Sequence, residues 1–423
     1  MPGCYRKAAK KRTGQLPRVI LTLLLLPVIF SVARAQEITF PQAVQMAWQS
    51  DPDHNELNTN YHSATARAHA AGSWFSGGPT ISGQYFDDHA IGSNEGYTTY
   101  QGGISVPLWL PGQGTATVKT ANAEALTVKE RLKVARMAVA IKVLDSTAAV
   151  ISAKRHLAIA RTLQSSLEKL QLSVSRGVQA GEMTSSDQQA VIAEVANAQS
   201  ECSLATEQVE NATSALEIIL GRPGVPDLLS YDEISVAHAR ALPLSLLEKM
   251  DPRVKTAEQN VRTANAGMRL ARASFMPNPE VGIGAIHEKQ YGSPWDNRVG
   301  VTLSIPLPST VRNVPIETEA RNKVATAINQ EEQIHRRVRQ ELTQVFSHLR
   351  STENTFKNTL LASENMNKRA NDMTRAWQAG EVSLIELLRA KTAAYSALQM
   401  RNQAEVSWHA AIIRAIIAAG EFE

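Results

Sequence analysis

The sequence predicts a mainly α-helical protein with a small β part, in which one large unit is written twice. Long coiled-coil hairpins are expected, with four short strands per protomer that close a barrel only with other copies of the chain; three copies would give twelve strands. Three observations lead there. Residues 115–176 and 316–379, runs of 62 and 64, contain no Gly or Pro. Landmarks recur along the chain at an offset of 199 to 200 residues. Four short segments alternate apolar and polar residues as half-buried strands do.

The N-terminal segment has a separate purpose. Arg6, Lys7, Lys10, Lys11, Arg12 and Arg18 precede an apolar run of 14 residues, 19–32, and then Ala33-Arg34-Ala35. This is the pattern of a secretory signal peptide covering residues 1–35, with cleavage expected before Gln36. The apolar run is short for a spanning helix. Cys4 lies ahead of it, so no lipid anchor is expected. Seven of the 44 Lys and Arg residues sit in this segment, leaving 37 against 40 Asp and Glu in the mature chain. The basic balance of the full chain is therefore no argument for a nucleic-acid partner. With only Cys202 remaining, the mature chain cannot form an internal disulfide.

The duplication follows. Asp51-Pro52 matches Asp251-Pro252, Phe75 and Pro79 match Phe275 and Pro279, and 105–108 (SVPL) matches 304–307 (SIPL). The pentapeptides QAGEM (179–183) and QAGEV (378–382) match as well. A period near 200 is too long for a solenoid and reads as two copies of one unit. The first repeat is expected over 36–220 and the second over 252–423. Residues 221–251, rich in Gly and Pro, are expected to form an equatorial linker region bulging from the middle of the rod.

Within each repeat a helical segment leads to a strand pair, a very long helix, a Gly-containing tip and a shorter helix. Both returning arms, 182–220 and 381–419, run 39 residues without a breaker. At ~1.5 Å per residue the long arms reach roughly 95 Å, more than a compact domain needs. The shortfall of the returning arm matches the helical segment 253–275, which is expected to stack end to end with a short arm. The stripe of Val324, Ile334, Val338, Leu342, Val345, Leu349, Phe356 and Leu360 suits a coiled-coil partner. Tips are expected near Gly181 and Gly380, since glycine takes the positive φ that reverses the chain.

The strand candidates are 80–90 and 97–108, then 280–288 and 298–307. Val299, Val301, Leu303 and Ile305 share one face, and Gly300, Thr302 and Ser304 the other. Four strands cannot close a barrel, and an open edge in lipid leaves backbone groups unpaired. Membrane insertion therefore requires other copies of the chain.

Together, the duplicated strand pair and hairpin, the Gly at each tip, the S-V/I-P-L strand exits and the motif R-x-x-Q-A-G-E-x-[ST] resemble the TolC family of outer-membrane efflux proteins. The resemblance covers residues 36–423, and 299–308 (VGVTLSIPLP) looks most like the heavy-metal, CzcC-like branch. It implies a homotrimer in the outer membrane of a Gram-negative bacterium, with a trimeric α-helical barrel that extends into the periplasm and is continuous with a 12-stranded membrane β-barrel, four strands per protomer. The implied partners are outer-membrane lipid, a periplasmic adaptor (membrane fusion protein) and an inner-membrane pump of RND type. The implied role is a passive exit duct, with heavy-metal cations as cargo. A multidrug or protein-secretion duct, and a soluble periplasmic adaptor, are the alternatives. No catalytic residue, cofactor or resident metal is implied.

In that family, acidic residues after the second tip ring the closed periplasmic end. The matching positions here are Glu386, which keeps the acid, and Arg389, which replaces it with a base. Asp187 is the first repeat's counterpart of Glu386 and is expected to face a neighbouring helix. Arg176, Gln179, Gly181, Arg375, Gln378 and Gly380 are the expected adaptor-docking tips, their polar side chains free in solvent. His287, His335 and His348 show no compact ligand set. The run 335–339 (HRRVR) reads as a solvated helix face.

Overall fold

In the computed structural model the described residues are 38–88, 96–228, 237 and 240–420. The expected signal peptide, the loop 89–95 and the linker motif 230–233 (SYDE) lie outside them. The elements are α1 (Phe40–Ser50), α2 (Pro52–Ala70), β1 (Thr80–Asp87), β2 (Thr98–Pro107), α3 (Gln113–Gln179) and α4 (Ser185–Leu220). Then come α5 (Leu244–Met250), α6 (Pro252–Ala273), β3 (Glu280–Lys289), β4 (Asp296–Ser304), α7 (Thr310–Gln378) and α8 (Leu384–Ala418).

The matching Asp-Pro pairs begin α2 and α6. Asp51 Oδ1 accepts from the Asp53 amide at 2.9 Å, and Asp251 Oδ1 from the Arg253 amide at 2.8 Å. Each aspartate caps the helix, and the proline supplies a helical φ where no N–H is needed. The two long helices have 67 and 69 residues, about 100 Å each at the α-helical rise. Both start earlier than the breaker pattern predicts, running through Gly114 and Pro315. Pro315 lies early in α7, where its missing N–H costs one bond. Asn313 Nδ2 donates to the Phe275 carbonyl and ties that first segment down.

No single core holds the rod. Buried apolar residues form separate clusters along it. At mid-length Phe40, Ala43, Val44 and Ala47 of α1 pack on Val143, Leu144 and Leu216. There Thr39 also bridges Asp227 in parallel, and α5 seats Leu247 against Val254, Val338 and Leu342. Helix α1, the bridge and α5 thus lie against the long helices at this level.

Helices α8 and α6 cover α3 in succession. Asn402 Nδ2 donates to the Ser152 carbonyl and Lys391 Nζ to Ser166 Oγ. Nearer the sheet, Gln259 Nε2 donates to the Ala123 carbonyl, and Thr127 and Thr263 share a 3.0 Å bond. Ile417 and Gly420 line one small cavity with Pro252 and Lys255, so the end of α8 meets the start of α6. The joint between sheet and helices is polar. Buried Gln113 accepts from the Leu110 amide and exchanges bonds with Asn278, whose Nδ2 also reaches the Leu108 carbonyl at 2.9 Å.

Candidate functional site

Two regions are the candidates: a sheet with two unlike faces, and the pair of hairpin tips.

The sheet is antiparallel in the order β1-β2-β3-β4. Its central pairing joins the two repeats, with Ile104 opposite Ile283. Registers place Tyr85, Tyr100, His287 and Asn297 in one row, and Gln84, Gln101, Ile286 and Arg298 in the next. Side chains alternate between faces along each strand. One face therefore gathers Ile81, Ile104, Ile283, Val299, Val301 and Leu303. The other gathers Ser82, Gln84, Gln101, Ser105, Glu280, Thr302 and Arg298, with Phe86 and Ile286 as its apolar members.

Among the described residues, none covers the apolar face. Ile81 is 82% exposed, Val299 78% and Val301 76%. Such a patch calls for lipid or another apolar partner. Towards the loops the same face turns aromatic. Tyr85 and Tyr100 lie 5.0 Å apart, and His287 stacks on Trp295 at 4.2 Å. An aromatic band next to an apolar one is what a membrane–water boundary selects. On the polar face Arg298 bridges Glu288 at 2.7 Å and Asp296 at 3.0 Å. Among the described residues, β1 and β4 each have a neighbour on one side only. No helix among them is long and apolar enough to cross a membrane.

The tips explain why Q-A-G-E is written twice. At the first, the Gly181 amide donates to the Val178 carbonyl at 3.1 Å and the Glu182 amide to the Gly177 carbonyl at 2.9 Å. At the second, the Gly380 amide reaches the Trp377 carbonyl at 3.0 Å and the Glu381 amide the Ala376 carbonyl at 2.9 Å. This is the Schellman closure of a helix. It requires a left-handed residue, and Gly181 and Gly380 take φ of 78° and 79°.

Each next helix opens with a capping box. Thr184 Oγ1 accepts from the Asp187 amide at 3.1 Å, and Asp187 Oδ2 accepts from the Thr184 amide and hydroxyl at 3.2 and 2.7 Å. Ser383 and Glu386 repeat the arrangement at 3.2 to 3.3 Å. Asp187 thus caps its own helix, α4. The spacing [ST]-x-x-[DE] in both tips was a legible sign of that box, and it was missed.

Arg176, Gln179, Arg375, Gln378 and Arg389 are all exposed. Arg375 is not free, because its guanidinium engages Asp372. Glu386 is exposed, and its carboxylate is turned to Ser383 rather than to Arg389. Behind the tips Leu170, Val174, Val191 and Val195 of the first hairpin pack with Leu384, Leu387 and Leu388 of the second. The two tips therefore share one buried apolar cluster.

Further along, polar contacts tie α8 to the first hairpin. His156 meets Glu201 at 3.0 Å and Gln208 at 3.3 Å, and also contacts Tyr395 and Gln399. Burial and the nearby Glu201 raise the Tyr395 hydroxyl pKa. Burial alone lowers that of Lys391. These residues lie far apart in sequence and carried no motif.

The run 335–339 is also not a plain solvated face. His335 Nδ1 and Arg339 both bond buried Glu248, and His335 gathers with Glu258 and Glu331. The sequence showed no ligand set for His335 because Glu258 comes from another helix.

The comparisons with known proteins fit this geometry. The sequence model described as "Outer membrane efflux protein" matches residues 43–222 and 244–420, one block on either side of the equatorial linker. No curated protein matches the chain significantly. Among solved structures, a membrane protein from Pseudomonas aeruginosa is 19% identical, with a TM-score of 0.72, covering 90% of this chain and 93% of that one. The transmembrane channel CusC is 16% identical at TM-score 0.72, covering 90% and 92%. The CmeC outer membrane channel of Campylobacter jejuni is 14% identical at TM-score 0.73, covering 90% and 85%. At these identities the structures speak for the fold. With the family matched along both repeats, this chain belongs to the outer membrane efflux protein family.

Proposed function

We propose that the chain is the exit duct of a tripartite efflux system and works as a homotrimer. Three sheets would join β4 of one protomer to β1 of the next, closing a barrel of about twelve strands. One observation carries the reading: a four-stranded sheet with an uncovered apolar face, a polar face, and unpaired edges at β1 and β4. In lipid each unpaired backbone group costs several kcal/mol, so a ring removes a penalty that a lone chain would bear. The hairpins, repeated three times, would form a coiled-coil tube across the periplasm.

The tips around Gly181 and Gly380 then meet a periplasmic adaptor. Arg176, Gln179 and Gln378 offer unburied polar groups, and the adaptor links the duct to an inner-membrane pump of RND type. Exposed Glu386 and Arg389 form the ring that narrows the periplasmic end, with Asp187 holding the companion helix start. The leader 1–35 is removed before Gln36. No bond is made or broken on the cargo. Heavy-metal cations are the proposed cargo, supported by the resemblance of 299–308.

Detergent-solubilised protein should have the mass of three chains, each 46.1 kDa before processing. A strain lacking the channel should lose tolerance to divalent metals and regain it with the intact gene. A stable, water-soluble single chain would overturn the duct. Restored drug tolerance without metal tolerance would overturn the cargo alone.

A further inference from the structure

Where α5, α6 and α7 meet, the structure assembles a ligand set outside the tips and the sheet. Glu258 of α6 and Glu331 and His335 of α7 each bring one donor atom within 4.8 Å of the other two. All three are partly accessible to solvent. Glu331 and His335 are four residues apart in α7 and so share one face of it. Glu258 faces them because α6 runs alongside, held one to two turns away by the Arg253–Glu341 ion pair.

A second observation sets this group apart from an ordinary surface cluster. The imidazole is held from behind by a buried carboxylate. Glu248 is 6% exposed, and its Oε1 accepts from His335 Nδ1 at 2.7 Å. Arg339 donates to both oxygens of Glu248 at 2.9 and 3.1 Å, which balances its charge and fixes its orientation. With a proton on Nδ1, the Nε2 lone pair is left for a ligand. Metal-binding histidines characteristically give their other ring nitrogen to a carboxylate in this way. Arg262 lies 3.7 Å from Glu258, and its side chain is exposed and free to swing aside.

We propose that Glu258, Glu331 and His335 bind a divalent first-row transition ion, with Glu248 as the positioning residue behind the imidazole. Two carboxylates and a neutral imidazole suit Zn²⁺ and its neighbours, whereas Mg²⁺ and Ca²⁺ favour oxygen-only sets. Small rotations of the two glutamates bring the donors to the ~2.0–2.2 Å bonds such an ion makes. The ion would staple α6 to α7 beside the equatorial helix α5. This inference does not depend on what the duct carries.

The test is calorimetric titration of the untagged, detergent-solubilised channel with ZnCl₂, and with MgCl₂ as control. Wild type should bind one Zn²⁺ per chain saturably and show no saturable Mg²⁺ binding. Glu331→Gln should weaken Zn²⁺ by more than about tenfold, and Glu258→Gln combined with it should abolish the site. Neither change touches the Glu248–His335–Arg339 contacts, so the circular-dichroism melt without metal should match wild type. Wild type without saturable Zn²⁺ binding would overturn the proposal. So would variants that titrate like wild type, which would mean adventitious binding elsewhere.

Discussion

Charge and capping can be separated at the second tip with two substitutions. Glu386→Gln removes the charge but leaves an oxygen that accepts from the Ser383 amide, since glutamine also serves in a capping box. Ser383→Ala keeps the charge and removes the hydroxyl that accepts from the Glu386 amide at 3.3 Å. Losing a serine or threonine cap costs ~1 kcal/mol, which is about a five-fold rise in local opening. The second tip's bonds, at 3.2 to 3.3 Å, are looser than the first tip's 2.7 Å hydroxyl contact. Ser383→Ala should therefore cost less than Thr184→Ala.

Hydrogen exchange of the first-turn amides of α8 reads the cap, and single-channel conductance in planar bilayers reads the ring. If Glu386 narrows the tube by charge, Glu386→Gln raises conductance while exchange stays near wild type. Ser383→Ala does the reverse, speeding exchange with little change in conductance. Higher conductance in Ser383→Ala, together with wild-type conductance in Glu386→Gln, would refute a charged ring. It would leave Glu386 as a helix cap.

Two further outcomes follow from the geometry. Val301→Arg, on the uncovered apolar face, should cost ~2–4 kcal/mol if it lies at the bilayer midplane and sharply lower the yield of inserted channel. Thr302→Arg, one residue on and facing the other way, should insert normally; equal yields would refute the assignment of faces. The second outcome concerns pH. Hydrogen bonds from Arg339 hold the Glu248 carboxylate pKa below its usual range, His335 adds to this, and burial opposes it. A depressed pKa stabilises the fold above the unfolded value of ~4.3 and loses that contribution as pH falls through the folded value. Amide protection in α5, corrected for the intrinsic exchange rate at each pH, should therefore stay flat from neutral pH down to the ordinary carboxylate range and fall only below it. Loosening already at pH 6 would contradict this link.

Local chemistry decided much of what was legible in the sequence. Asp-Pro at 51–52 and 251–252 announced two helix starts, and Gly181 and Gly380 announced two reversals, because caps and left-handed residues act within a few positions. Alternation in 299–305 separated the two faces of a strand, because the side-chain period of a strand is two. The long runs without Gly or Pro predicted the rods, though Gly114 and Pro315 did not end them where expected.

Contacts between distant segments decided the rest. Only the fold set β2 beside β3, bringing the rows of both repeats into one apolar face. Only the fold drew Tyr395 to His156 and put Glu258 against Glu331 and His335. None of these pairings leaves a periodic trace in the chain. Each depends on how rods of about 100 Å are aligned, and that alignment is set by clusters of buried side chains spaced along their length.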